Sequence, residues 1–274
     1  MLIRTVFLIS DQTGITAETL GHSLLTQFEG VQFREVTLPF IDTVDKAEDA
    51  VRRINLTYEL EGSKPIVFCT FVQSEIREVF FDCKGLCLDF FDAFIGPLEK
   101  ELEVKSSHTT GKAHGLSDSN SYSRRMEAVN YAVTSDDGLN PDGMGLAQII
   151  LVGVSRCGKT PTCLYLALQH GVFAANFPLN DDDFEAGRLP PSLVRHQAKL
   201  FGLSIDPARL QQIREERRPD SRYASARQVG YEVRAAESLF QKYNIPSMNI
   251  THTSIEEIAA KAMQIKEIKR HEWD

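Results

Sequence analysis

Long apolar runs are missing from this chain. None of its hydrophobic stretches reaches the roughly 20 residues that a membrane-crossing helix needs, so nothing in it reads as a transmembrane helix. Cysteine is sparse and unpatterned: Cys69, Cys83, Cys87, Cys157 and Cys163 are five in number, with no C-x-x-C pair. That argues against a disulfide framework or a zinc site, and for reduced thiols in a cytoplasmic protein. Positive charge is in deficit, with 30 Lys and Arg against 38 Asp and Glu and a net charge of −8. A general nucleic-acid or anionic-membrane partner is therefore not expected, although a local basic site is compatible with the total. The apolar N-terminus has no basic region before it and no small-residue cleavage site after it, and Asp11 follows at once. It reads as a first strand rather than a signal peptide. Internal repeats and low-complexity tracts are absent as well. What remains is a chain of 274 residues, 42% hydrophobic, enough to bury a sizeable core in one large domain or two small ones.

The chemistry centres on Gly153-Val154-Ser155-Arg156-Cys157-Gly158-Lys159-Thr160, which has the spacing G-x-x-x-x-G-K-[ST] of a phosphate-binding P-loop. The apolar run 147–152 before it suits a buried strand, and 161–168 after it suits a helix, with Pro161 tolerated in the first turn. In that context the loop's N–H groups and the helix N-terminus favour an anion. Lys159 is expected to reach the outer phosphates of a nucleotide, and the Thr160 hydroxyl to ligate Mg²⁺.

Taken in order, strands and helices alternate with short links, which predicts an α/β fold with a mostly parallel sheet in the P-loop domain. Strands are expected at 4–10, 33–40, 65–72, 147–152, 172–177, 200–205 and 245–250. The turn Ser10–Glu18 opens a helix and is also a frequent ligand position in α/β folds. Residues 105–123 are rich in Ser, Thr, Gly and His and read as a long loop carrying His108 and His114. The division expected is an N-terminal α/β domain (1–104), a connecting loop and helix (105–145) and a P-loop domain (146–274). In the connecting helix Met126, Val129 and Ala132 or Val133 are expected to face inward.

Three groups compete for roles beside the loop. Asp136-Asp137-Gly138 either ends a helix or supplies a metal or proton-transfer carboxylate. Asp181-Asp182-Asp183 either solvates a loop or brings the second Mg²⁺ ligand, with Asp181 first in line. Arg214, Arg217, Arg218 and Arg222 are dense for an acidic chain. They form either a solvated, ion-paired face or a phosphate grip, with Arg214 sharing a helical face with Arg217 or Arg218.

Five phrases, in order along nearly the whole chain, carry a resemblance: Ser10-Asp11-x-Thr13-Gly14-Ile15-Thr16-Ala17-Glu18, Tyr122-x-x-Arg125-Met126-Glu127-Ala128-Val129-Asn130, Asp136-Asp137-Gly138, the P-loop continued through Pro161-Thr162, and Arg214-x-Glu216-Arg217-Arg218-x-x-Ser221-Arg222-Tyr223-Ala224. The chain resembles the bacterial phosphoenolpyruvate synthase regulatory proteins, a bifunctional kinase/pyrophosphorylase group with a sister group acting on pyruvate, phosphate dikinase. The resemblance implies an ADP-dependent kinase that places phosphate on a threonine of the synthase and inactivates it. It also implies removal of that phosphate by orthophosphate, with release of pyrophosphate, and a homodimer. Altogether Lys159, Asp137, Arg217, Arg218 and Arg222 are the expected catalytic residues, and Thr160 and Asp181 the expected Mg²⁺ ligands. Ser135 departs from the pattern, where histidine is expected before the double aspartate. Eukaryotic kinase phrases such as H-R-D and D-F-G are absent, as is the N-K-x-D of a guanine switch. An ordinary small-molecule P-loop kinase is the competing reading.

Overall fold

The computed structural model describes residues 2–107, 119–140 and 142–269. His108 and His114 lie outside these. The chain divides into two compact units, Met1–Leu116 and Ser117–Asp274.

In the first unit, β1 (Leu2–Ser10) is followed by α1 (Ile15–Leu25), β2 (Val31–Leu38), α2 (Val44–Glu61), β3 (Ile66–Thr70), α3 (Ser74–Val79), β4 (Leu86–Asp89) and α4 (Phe90–Leu102). The four strands form a parallel sheet in the order β2-β1-β3-β4. Val6, Phe7, Leu8 and Ile9 are all buried, because a central parallel strand is covered on both faces. Alternation sorts them. Phe7 and Ile9 join Val67, Cys69 and the α2 residues Ala47, Val51 and Ile54, while Val6 and Leu8 join Leu25, Phe68 and Phe90. Thr43 caps α2 through its side chain, and Gly62 ends it at φ 63°. The edge strand β4 was not expected. It has four residues in alternating exposure and follows Gly85, and the apolar residues after it form α4.

The second unit opens with α5 (Ser119–Thr134), which packs against elements of the sheet domain rather than standing apart as a connector. On it Ala128, Tyr131 and Ala132 are buried and Val133 is 58% exposed, so the inward face lies slightly off the expected one. Then follow β5 (Ile149–Gly153), α6 (Lys159–His170), β6 (Ala174–Pro178), α7 (Asp181–Ala186), α8 (Pro191–Val194), β7 (Leu200–Ser204), α9 (Pro207–Arg217), α10 (Ala226–Lys242), β8 (Ser247–Asn249) and α11 (Ile255–Ile265). The parallel sheet runs β6-β5-β7-β8. Both units are therefore α/β with one four-stranded parallel sheet and the same strand order. In each, the first strand of the unit lies inside the sheet, and the next two strands flank it. The loop after that strand thus sits at the switch point where α/β sheets bind ligands.

Candidate active site

The Gly153–Thr160 loop leaves the carboxyl end of β5, all five of whose residues are buried. It closes on β7 so tightly that a Cβ on Gly153 would lie 2.5 Å from the Leu203 carbonyl oxygen and 2.8 Å from Cys157 Sγ. Only glycine fits there. The chain then turns through two left-handed residues, Arg156 at φ 75° and Gly158 at φ 73°. Gly158 accommodates this conformation without cost, whereas Arg156 is strained by it. Gly158 caps α6 and offers no side-chain acceptor to the first turn, and Pro161 brings no N–H to it. Lys159, the first residue of α6, is 5% exposed. Its ammonium donates to Val154 O at 2.8 Å and lies 3.8 Å from Cys157 Sγ. A buried cation held by a carbonyl and a thiol favours an anion as its further partner.

Thr160, next on the helix, points at a carboxylate. Its Oγ1 donates to Asp136 Oδ1 at 2.8 Å. Asn176, a fully buried polar residue of β6, donates through Nδ2 to the same oxygen and accepts from Asp137 N at 3.1 Å. Asp136 stands in the short turn Asp136–Gly138 that follows α5. Gly138 presses so closely on Phe177 that a Cβ would come within 2.8 Å of the ring. Of the double aspartate, Asp136 thus turns inward to Thr160, while Asp137, at φ 49°, is exposed. Cys163, one turn further along α6, is fully buried and donates to Ala175 O at 3.4 Å. Burial pushes its thiol well above the ordinary range, and the nearby Asp136 charge adds to the effect.

Ser155 is held from the other side of the loop. Its Oγ lies 2.9 Å from Tyr223 OH, and its carbonyl accepts from Arg214 Nη2 at 3.1 Å. Arg214 is completely buried and pairs with Glu232 Oε2 at 2.7 Å. Arg214 and Arg217 both lie on α9, three residues apart as expected, but Arg214 is buried and Arg217 exposed; Arg218 is already non-helical, and it and Arg222 are exposed too. No hydrogen bond or ion pair joins these three arginines or Asp137 to the loop among the described residues. Asp181 opens α7 and accepts from Gln228 Nε2 at 2.8 Å, while Asn180 and Asp183 form that helix's capping box. The carboxylate beside Thr160 is Asp136.

Asn176, Tyr223 and Glu232 were not singled out as site residues from the sequence. Asn176 did carry a signal, as a lone amide in an otherwise apolar strand, since buried polar groups are the informative ones. Among the described residues no group of three or more His, Cys, Asp or Glu side chains is placed to hold a metal by itself.

With this geometry in place, the comparisons agree among themselves. The kinase/pyrophosphorylase family model matches residues 6–263. A protein of Legionella pneumophila (strain Corby) and one of Pseudomonas putida (strain W619) are each 52% identical over 267 residues, 97% of this chain and 98% of theirs. Both are provisionally named phosphoenolpyruvate synthase regulatory proteins.

Proposed function

The chain belongs to the kinase/pyrophosphorylase family, and on that premise we propose that it regulates phosphoenolpyruvate synthase by reversible phosphorylation. In one direction a phosphoryl group passes from ADP to a threonine hydroxyl of the synthase, leaving AMP and an inactive enzyme. In the other, orthophosphate attacks the phosphothreonine, pyrophosphate leaves, and the threonine hydroxyl is restored. The family makes the chain a phosphotransferase, and the relatives' names point to the synthase as the protein acted upon. ADP as donor, threonine as acceptor, orthophosphate as the second nucleophile and a homodimer rest on the sequence resemblance.

The observation that carries the reading is the buried Lys159 ammonium at the start of α6, with Thr160 and Asp136 beside it. Phosphoryl transfer depends on positioning and charge stabilisation more than on covalent help from the protein. Lys159 supplies fixed positive charge where a terminal phosphate would lie. A hydroxyl and a carboxylate are hard oxygen donors suited to Mg²⁺, which is commonly held by one or two protein ligands together with waters and substrate phosphates. We assign Thr160 and Asp136 to hold it, in place of Asp181, whose carboxylate is engaged by Gln228. When bound, the ion would neutralise charge on the phosphates. Arg217, Arg218 and Arg222 are exposed at the end of α9 and on the segment after it, where guanidinium groups can meet a second phosphate. Asp137, exposed at the same turn as Asp136, is the candidate to receive the threonine proton.

The test uses purified synthase with ADP and Mg²⁺, then orthophosphate, followed by phosphothreonine mass spectrometry and pyrophosphate release. Pyruvate, phosphate dikinase serves as a parallel substrate. Phosphorylation of the synthase alone is the expected result. Turnover of a metabolite with ATP, and no protein phosphorylation, would replace the reading with that of a small-molecule kinase. Lys159→Met, which keeps the buried stem's volume, should abolish transfer while the thermal midpoint stays close to the parent's.

A further inference from the structure

We propose that Tyr223, backed by Arg214, is a positioning residue that sets the Gly153–Thr160 loop for phosphoryl transfer; the proposal rests on the phosphotransferase reading above. Among the described residues, Ser155 is the only one of the loop gripped through both its main chain and its side chain by elements distant in sequence, at 3.1 Å and 2.9 Å. Two residues reach it directly, and a third backs one of them. Arg214 comes from α9, Tyr223 from the short turn Arg222–Ala224, and Glu232 from α10. Arg214 donates to Tyr223 O at 3.1 Å, and its guanidinium carbon stands 4.1 Å from the centre of the Tyr223 ring. The ring is therefore fixed by a stacked cation and by its own backbone before its hydroxyl reaches Ser155. Glu232 in turn fixes the cation.

The clamp acts at a specific point. Ser155 immediately precedes Arg156, the strained left-handed residue of the loop. Such a conformation persists when the surroundings over-determine it. Holding Ser155 on both sides keeps the turn from relaxing, and so keeps the following N–H groups and Lys159 in register for an anion. Preorganised donors cost no reorganisation at the moment of reaction. The same clamp pins both ends of the stretch from Arg214 to Tyr223, on which Arg217, Arg218 and Arg222 ride. Tyr223 thus ties the arginine segment to the loop.

The test compares Tyr223→Phe, Ser155→Ala and the double variant in the full chain. The first removes only the hydroxyl and leaves the stacked ring, and the second breaks the same bond from the loop side. Two readouts are taken: hydrogen exchange of the amides of residues 154–158 without ligand, and kcat and KM for ADP in threonine phosphorylation. Each single variant should speed exchange in the loop about fivefold or more, with the thermal midpoint unmoved. Each should lower kcat/KM about tenfold, and the double variant should lose no more than the worse single, because both remove one interaction. Unchanged loop exchange, or losses that multiply in the double variant, would overturn the proposal. If the parent protein transfers nothing from ADP, the functional reading fails instead, and the exchange comparison still decides whether Tyr223 holds the loop.

Discussion

Arg214 and Glu232 form a pair whose disruption should be felt by the whole second unit. Arg214 is 0% exposed and Glu232 8% exposed, and their charged atoms are 2.7 Å apart. With an effective dielectric of about 20, two unit charges at that separation attract by about 6 kcal/mol before desolvation is counted. Desolvation consumes most of this, so the intact pair contributes little net stability, whereas removing one member strands the other. Glu232→Gln preserves the shape and leaves a carbonyl oxygen able to accept from Gln228, which now bonds Glu232 Oε1 at 3.1 Å. It leaves Arg214 as an uncompensated buried cation, a loss of about 3–5 kcal/mol. For a unit of this size that lowers the midpoint by about 10 °C. Arg214→Met with Glu232→Leu should recover part of the loss. It cannot recover all, because the carbonyls of Ser155 and Tyr223 lose their donor, at about 1–3 kcal/mol for each buried group left unsatisfied. Calorimetry of the full chain measures both variants. A Glu232→Gln protein within about 1 kcal/mol of the parent would refute the claim that this charge pair is buried and mutually dependent.

Three further outcomes are expected. Asp136→Asn keeps an acceptor for Thr160 and Asn176 but loses the charge, so the Mg²⁺ concentration for half-maximal transfer should rise about tenfold or more; an unchanged Mg²⁺ titration would leave Asp136 as a purely structural acceptor. Arg217→Gln with Arg218→Gln should raise the orthophosphate requirement and slow both directions, since two anions must be brought together; unchanged kinetics in a folded protein would return these arginines to a solvated face. The neighbouring Cys87 thiol favours the Cys83 thiolate and lowers Cys83 to about 7. Its thiolate, and with it iodoacetamide labelling, should therefore appear as pH rises through that value, while Cys69 and Cys163, pushed up by burial, stay unlabelled. Peptide mapping giving Cys83 a midpoint near the ordinary thiol value of about 8.5 contradicts this.

Which parts were legible in the sequence follows from how local their determinants are. The buried runs of β1 and β5 were plain because an internal parallel strand is apolar on both faces. The edge strand β4 was not, because Leu86–Asp89 is short and alternates in exposure. The helix α7 was hidden in an aspartate run. Its capping box uses Asp183 where glutamate or glutamine is the usual signature, so Asn180–Asp183 read as loop. The loop itself was legible because eight consecutive residues encode it. Its partners were not, because they arrive from afar: Asp136 meets Thr160 across 24 positions, and Tyr223 meets Ser155 across 68. The arginine cluster shows the limit of counting charges. One member, Arg214, is an internal strut, and three are exposed, Arg217 on the last turn of α9 and Arg218 and Arg222 beyond it.

The shared strand order of the two sheets has a chemical consequence. In both units the strand beside the switch point hands over to a helix through a left-handed glycine cap, Gly14 at φ 83° and Gly158 at φ 73°. Three residues before that glycine stands Asp11 in the first unit and Ser155 in the second. Asp11 is buried, and its Oδ2 takes the Val72 N–H from the neighbouring loop at 2.9 Å. The first unit has a buried carboxyl bonded into this crossing, pushed up from the usual carboxylate value by burial. The second puts a neutral hydroxyl at the corresponding place, turns it toward Tyr223, and adds Lys159 immediately after the glycine. At corresponding places the two crossings thus differ in chemistry: the first carries a buried carboxyl, and the second a hydroxyl followed by a buried lysine.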